Sequence, residues 1–288
     1  MKKMGNPIRI GQIKFTNVLP LYYFFPYRKL EGHVEFFTQV PTQLNEAMAA
    51  GSIDLGPISS FAYGENFDKY ILYPGLSVSA YGKVNSILLF YKKPFKDILY
   101  GKIALPTTSA TSVVLLKIIL EKFYGGKPEY SYAPPVLETM MEKHDAALLI
   151  GDDAIRANWE NKDYEVMDLG EQWTSFTGQW MTYAVWAVNK ETAEQQSGLI
   201  GKIYDAFQES KQQGQVQSKA IIHEAERQMG GTLQYWEQYY RHLNYDFGQP
   251  QQEGLQLYFD YAKELGYISK AVPMQIWKNN NVIQVNES

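Results

Sequence analysis

Residues 103–120 read IALPTTSATSVVLLKIIL, and five of the seven positions from Pro106 to Ser112 carry a hydroxyl. These are Thr107, Thr108, Ser109, Thr111 and Ser112, set between a short apolar run and a helical one. One Ser, Thr, Asp or Asn is enough to satisfy the free N–H groups of a helix start. Five hydroxyls at one strand-to-helix corner point to a bound oxyanion, because hydroxyls add donors where backbone N–H groups and the helix dipole already favour negative charge. Neither G-x-x-x-x-G-K-[ST] nor G-x-G-x-x-G after a strand occurs in the chain, so a small carboxylate, best a dicarboxylate, suits the corner better than phosphate.

Ligands of open α/β sheets sit beyond the carboxyl ends of the strands. Besides the 107–112 corner, that rule selects Thr16–Asn17, Ser59–Ser60 and the segment Gly151–Asp153. Ser59 and Ser60 would oppose Thr107–Ser112 across a cleft. Ser and Thr also serve as caps and turn formers, and the helix dipole alone accounts for acids such as Asp152 and Asp153 in a first turn. Asn17 and the pair Asn85–Ser86 lie in loops as well. A loop amide can donate to an oxygen that gains charge in a transition state, or satisfy its own turn; position does not choose between these. His33 and His144 precede strands, at the wrong edge of a sheet, and His223 and His242 fall in C-terminal helices, so all four read as structural or solvated. No H-x-x-x-H or H-E-x-x-H zinc pattern and no G-x-S-x-G elbow is present. No metal or organic cofactor is indicated.

The elements that must position these residues alternate. IRIGQIKF, VEFFTQVP and IDLGPIS read as strands, with TQLNEAMAAG a helix between the second and third. Residues 71–93 alternate as strands that cross over. The pattern then restarts: KIALP, YSYAPP and DAALLIG as strands, with helices after each. TQLNEAMAAGSIDLGPISS and PVLETMMEKHDAALLIGDD share an order of amphipathic helix, aspartate, apolar strand and small polar residues, a weak internal duplication of a β-α-β-α-β unit. TGQWMTYAVWAVNK returns as a strand, and the remainder is mostly helical. The expectation is an α/β protein with mostly parallel sheets and a helical C-terminal part. Two lobes form a hinged clamshell: residues 1–90 with 188–288, and residues 91–187.

Composition sets the outer limits. The 288 residues are 45% hydrophobic and 15% aromatic, with 22 tyrosines, which allows a substantial core. No cysteine is present, so disulfides and thiolate chemistry are excluded. A net charge of −4 argues against a nucleic-acid partner. No apolar stretch is long enough to span a membrane, and the start lacks a signal-peptide core; a soluble, cytoplasmic protein is expected. The sequence leaves the oligomeric state open.

IRIGQIKFTNVLPL, GSIDLGPISS, VNSILLF, ALPTTSATS and ALLIGDDAI, in this order, resemble the chorismate dehydratases of the futalosine route to menaquinone. The resemblance runs through about the first 190 residues and more loosely beyond. It implies a fold shared with type II periplasmic binding proteins, and loss of water from chorismate to give 3-[(1-carboxyvinyl)oxy]benzoate. It also implies that Asn17 and Ser86 are the catalytic-site positions, with the substrate's own enolpyruvyl carboxylate as base. Ser59, Ser60, Asn85, Thr107, Thr108, Ser109, Thr111, Gly151 and Asp152 would bind the substrate. A non-catalytic solute-binding or sensor protein for a small carboxylate is the competing class. The sister 1,4-dihydroxy-6-naphthoate synthases are a third reading, although their N-terminal loop differs from the FTN..PL pattern here.

Overall fold

The computed structural model describes residues 6–278. Its strands are β1 (Ile8–Ile13), β2 (Val34–Gln39), β3 (Leu55–Ser59), β4 (Tyr70–Ala80), β5 (Ile87–Tyr91), β6 (Lys102–Pro106), β7 (Glu129–Ala133), β8 (Ala146–Ile150), β9 (Glu165–Asp168), β10 (Met181–Asn189) and β11 (Leu243–Asn244). They form two sheets, ordered β11-β4-β10-β3-β1-β2 and β7-β6-β8-β5-β9. Helices cover the sheets, and four long ones between Ser197 and Glu264 build the C-terminal part. No helix among the described residues is long and apolar enough to cross a membrane.

The sheets are mixed rather than mostly parallel. β2–β1–β3 and β7–β6–β8 are parallel, whereas β10 runs antiparallel to β3 and β4, and β5 antiparallel to β8 and β9. Chain direction explains this. The parallel strands point their carboxyl ends at the space between the sheets, and the chain crosses there twice. A strand that enters a sheet from that edge must run away from it. β5 and β10 are those entering strands. The boundaries expected at 90 and 187 therefore fall inside β5 and β10, while the changes of sheet occur within 81–86 and 169–180.

The cores follow from the apolar runs. ILLFY in β5 and AALLI in β8 are almost wholly buried, as befits strands with neighbours on both sides and helices on both faces. Trp173, Trp186 and Trp236 are among the largest fully buried side chains. Trp173 lies on the helix Leu169–Thr177, which carries the chain from β9 toward β10.

Candidate functional site

A cavity of about 70 Å³ lies between the sheets, at the carboxyl ends of β1, β3 and β8. Asn17, Ser59, Ser86, Ser109, Thr111 and Gly151 all line it. Ser112 and Tyr183 join them, and Phe15, Val84 and Ile150 supply apolar wall. Small-molecule pockets usually hold ~300–1,000 Å³, and this cavity is smaller than that range.

Ser59 and Ser109 are N-caps. Ser59 Oγ accepts from Ala62 N at 3.2 Å and Ser109 Oγ from Ser112 N at 3.2 Å. Asn45 braces Ser59, its Oδ1 accepting from Ser59 N at 3.0 Å and its Nδ2 donating to Ser59 Oγ at 3.2 Å. Thr111 reaches across the cavity: its Oγ1 accepts from Phe61 N at 2.9 Å, and its carbonyl accepts from Tyr258 Oη at 3.1 Å. Gly151 has φ of +59°, a left-handed conformation that favours glycine, and a Cβ there would stand 3.0 Å from the Phe15 ring, which would have to give way. Its N–H donates to Ser86 O at 2.7 Å.

Five expected ligand contacts have other uses or other places. Ser60 is fully buried and donates to Thr182 O at 2.7 Å, holding its helix to β10. Asn85 is the one described non-glycine residue with positive φ, at +58°, and its Nδ2 lies 2.8 Å from His242 Nδ1. Asp168 fixes that turn, accepting from Asn85 N at 2.7 Å and from Val84 N, while capping the helix Leu169–Thr177. Thr107 is exposed in the turn after β6, and Thr108 Oγ1 is buried without a partner, away from the cavity lining. Asp152 grips the other lobe, its Oδ1 accepting from Thr16 Oγ1 at 2.6 Å and from Thr16 N at 3.2 Å. Burial raises the Asp152 pKa above the usual aspartate value; Thr16 and Arg156 oppose the rise and Asp153 adds to it. Asp152 borders an outer cleft of about 600 Å³, which shares Ile13 and Phe15 with the cavity and also holds Lys14, Arg156 and Arg227.

The loop bearing Asn17 is held from behind by tyrosines of the C-terminal part. Tyr240 Oη donates to Thr16 O at 2.8 Å, and Tyr245 Oη to Asn17 O at 2.9 Å. Tyr239 Oη donates to Ser86 Oγ at 3.2 Å. Burial pushes all three phenols well up, so they are neutral donors at physiological pH. Their signal is in the sequence, as the stretch LQYWEQYYRHLNYDF; what it touches is not, because Tyr239 and Ser86 are 153 positions apart.

Asn17 is left with a buried Oδ1 that has no partner among the described residues. The Tyr183 hydroxyl is in the same state, and both residues line the cavity. Among the described residues, Tyr183 carries the only titratable side chain in the lining, and burial raises its pKa far above the ordinary value. The cavity thus offers neutral hydrogen-bonding groups and apolar wall. It can orient a small polar molecule and stabilise charge on it, but it supplies no ionised base.

Two sheets, a chain that crosses twice between them and a cavity at the crossing define a periplasmic-binding-protein-like clamshell. A protein from Archaeoglobus fulgidus superposes with a TM-score of 0.74 at 20% identity, over 92% of this chain and 99% of its own. The aliphatic sulphonate binding protein SsuA of Escherichia coli matches with a TM-score of 0.69 at 18% identity, over 96% and 98%. These likenesses carry the fold. The chain belongs to the menaquinone biosynthesis family, whose model matches residues 8–264. It is similar to a chorismate dehydratase of Thermus thermophilus, 29% identical over 275 residues that span 90% of this chain and 96% of the relative.

Proposed function

We propose that this protein is a chorismate dehydratase, a carbon–oxygen lyase that eliminates water from chorismate to give 3-[(1-carboxyvinyl)oxy]benzoate in the futalosine route to menaquinone. The observation that carries the reading is the chemistry of the cavity wall: it has neutral donors and no ionised base. Chorismate brings its own base. The proton to be lost sits on the ring carbon bearing the enolpyruvyl ether, within reach of that group's carboxylate. The electron pair left behind is vinylogous to the ring carboxylate, so charge spreads into an enolate-like system. The neighbouring carbon then expels hydroxide, which takes up a proton and leaves as water, and the ring becomes aromatic. The protein's task is to orient the reacting groups, meet the spreading charge with fixed donors and exclude water.

In this reading Asn17 is a catalytic residue. Rotation about its χ2 lets the amide present either oxygen or NH₂ to the reacting groups. Ser86, held by Tyr239, would contact the departing hydroxyl or a carboxylate. Ser59 and the cavity-facing members of the 107–112 corner would meet the substrate from opposite lobes, with the lobes parting and closing around it. The division into lobes that best fits this motion breaks within 81–86 and 169–180, where the chain changes sheet.

A second reading, binding without turnover, is favoured by the likeness to a sulphonate-binding protein over nearly the whole chain. Incubation with chorismate while following the ultraviolet spectrum separates the two. Loss of the cyclohexadiene band with gain of benzoate absorption is the expected result. Thermal stabilisation by chorismate without spectral change would leave a binding protein.

A further inference from the structure

The two stretches where the chain changes sheet, 81–86 and 169–180, are joined through one side chain. Asp168 ends β9 at the start of the second crossing and is buried. Its carboxylate divides between the crossings. Oδ2 accepts from Asn85 N at 2.7 Å and Val84 N at 3.1 Å on the first; Oδ1 accepts from Gly170 N at 2.9 Å and Glu171 N at 3.1 Å on the second. The crossings also touch directly, for Gly82 N donates to Thr174 Oγ1 at 2.8 Å, and a Cβ on Gly170 would come within 2.6 Å of Gly82 O. A helix cap needs an acceptor only for the N–H groups of its own first turn. The bonds to Val84 and Asn85 go beyond that need.

What they hold is the approach to Ser86. Asn85 has a φ of +58°, a conformation that a side chain other than glycine keeps only where its surroundings impose it. The surroundings here come from two directions. On the helix Leu233–His242, His242 Nδ1 lies 2.8 Å from Asn85 Nδ2, and Tyr239 Oη donates to Ser86 Oγ at 3.2 Å. From the other side Asp168 takes the backbone N–H groups of 84 and 85. Ser86 Oγ in turn donates to Val84 O at 3.3 Å, and both Val84 and Ser86 line the cavity. The helix fixes the side chains, and the carboxylate fixes the peptide that carries them.

We propose that Asp168 is a positioning residue for the elimination: it imposes the left-handed turn at Asn85 and so directs Ser86 at the reacting groups. The inference rests on the dehydratase reading. Because the same carboxylate holds both crossings, the direction of Ser86 is kept as the lobes swing. A displacement of about 1 Å in a reacting geometry can cost ~10²-fold in rate, so loss of the clasp falls on kcat more than on KM.

Asp168→Ser separates clasp from cap, since serine caps a helix well but its shorter side chain does not span to the first crossing. Chorismate turnover is measured for wild type, Asp168→Ser, Ser86→Ala and the double variant. The expected result is a kcat lowered by about tenfold or more in each single variant, with the double variant within about twofold of Ser86→Ala, because Asp168 acts through Ser86. General loosening of the fold would instead lower kcat again in the Ser86→Ala background. A further loss beyond about twofold there overturns the assignment, as does a smaller loss in either single variant. Should Asp168→Ser not fold, Asp168→Asn takes its place in the cycle: its single amide oxygen can serve only one crossing. If neither folds, Asp168 is a residue of the fold at large and the assignment falls. An active wild type with a failed cycle removes only this assignment, whereas a wild type that leaves chorismate unchanged overturns the dehydratase reading and this inference with it.

Discussion

Ser59 and Ser109 hold matching places in the two lobes, each following a strand and capping the helix after it through the N–H three residues on. Their surroundings differ. Ser59 is clamped by two hydrogen bonds with Asn45, one donated and one accepted, whereas the second corner uses Thr111 to reach Phe61 N on the opposite lobe. The first corner is a fixed wall, and the second is a latch on it. Hydroxyl abundance at 107–112 thus has a structural share that a ligand-binding explanation alone would miss. The buried polar atoms without a partner among the cavity-lining residues lie elsewhere, on the loop at Asn17 and the bulge at Tyr183.

If free groups rather than corner hydroxyls do the chemistry, Asn17→Ala has the largest effect. Loss of one donor to developing charge typically lowers kcat by ~10²–10³. The loop should keep its shape, since Tyr240 and Tyr245 hold the carbonyls of residues 16 and 17 and not the Asn17 side chain. The expected outcome is that loss of chorismate turnover with little change in melting temperature. Activity within tenfold of wild type would return the catalytic role to the corners.

The latch is tested by Thr111→Val, which keeps the side-chain shape and removes the acceptor for Phe61 N. A buried N–H left without a partner costs ~1–3 kcal/mol. If the contact closes only over substrate, that cost appears as a KM raised by about 5–150-fold, the same energy expressed as affinity. A lower ligand-free melting temperature with unchanged KM would instead show that the lobes are already latched at rest.

Asp152 joins the lobes by charge rather than by a neutral hydroxyl, which makes its link depend on pH. Its pKa is raised in the folded protein, mainly by burial. The folded state therefore binds this proton more tightly than the unfolded chain, and the ionised form opposes folding at neutral pH. That cost disappears as pH falls through the folded and then the unfolded pKa. Asp152→Asn, which keeps an acceptor for Thr16, should melt higher than wild type at neutral pH, by about 2–4 °C per kcal/mol in a chain of this size. The difference should shrink as pH falls into the aspartate range. A variant that melts lower at every pH would mean that the charge-assisted bonds to Thr16 outweigh burial.

What was legible in the sequence divides along the same line. The caps at Ser59 and Ser109, the strand-end loop at Asn17 and the glycine at 151 are local features, written in strand-to-helix order and in residue type. Strand direction was not legible, because ILLFY reads the same in a parallel or an antiparallel neighbourhood; β5 and β10 run backward only because the chain enters each sheet from the cleft. The bulge at Tyr183 was equally hidden, since it exists in the register between β10 and β4 and not in TYAVWAV itself. Asp152 and Thr16, 136 residues apart, meet only once both lobes are built.

The smallest effects belong to the two threonines that first drew attention to the corner. Thr107 is exposed and outside the cavity lining, so Thr107→Val should leave KM and kcat within about twofold, as ordinary surface changes stay within ~0.5 kcal/mol. Thr108 differs, because its Oγ1 is buried and unpartnered. Replacing that hydroxyl by a methyl of the same shape removes a desolvation cost, so Thr108→Val should raise the melting temperature while leaving turnover alone. Lost turnover in Thr108→Val would mean that this hydroxyl faces substrate when the lobes open, and would shift weight from the loop at Asn17 back to the 107–112 corner.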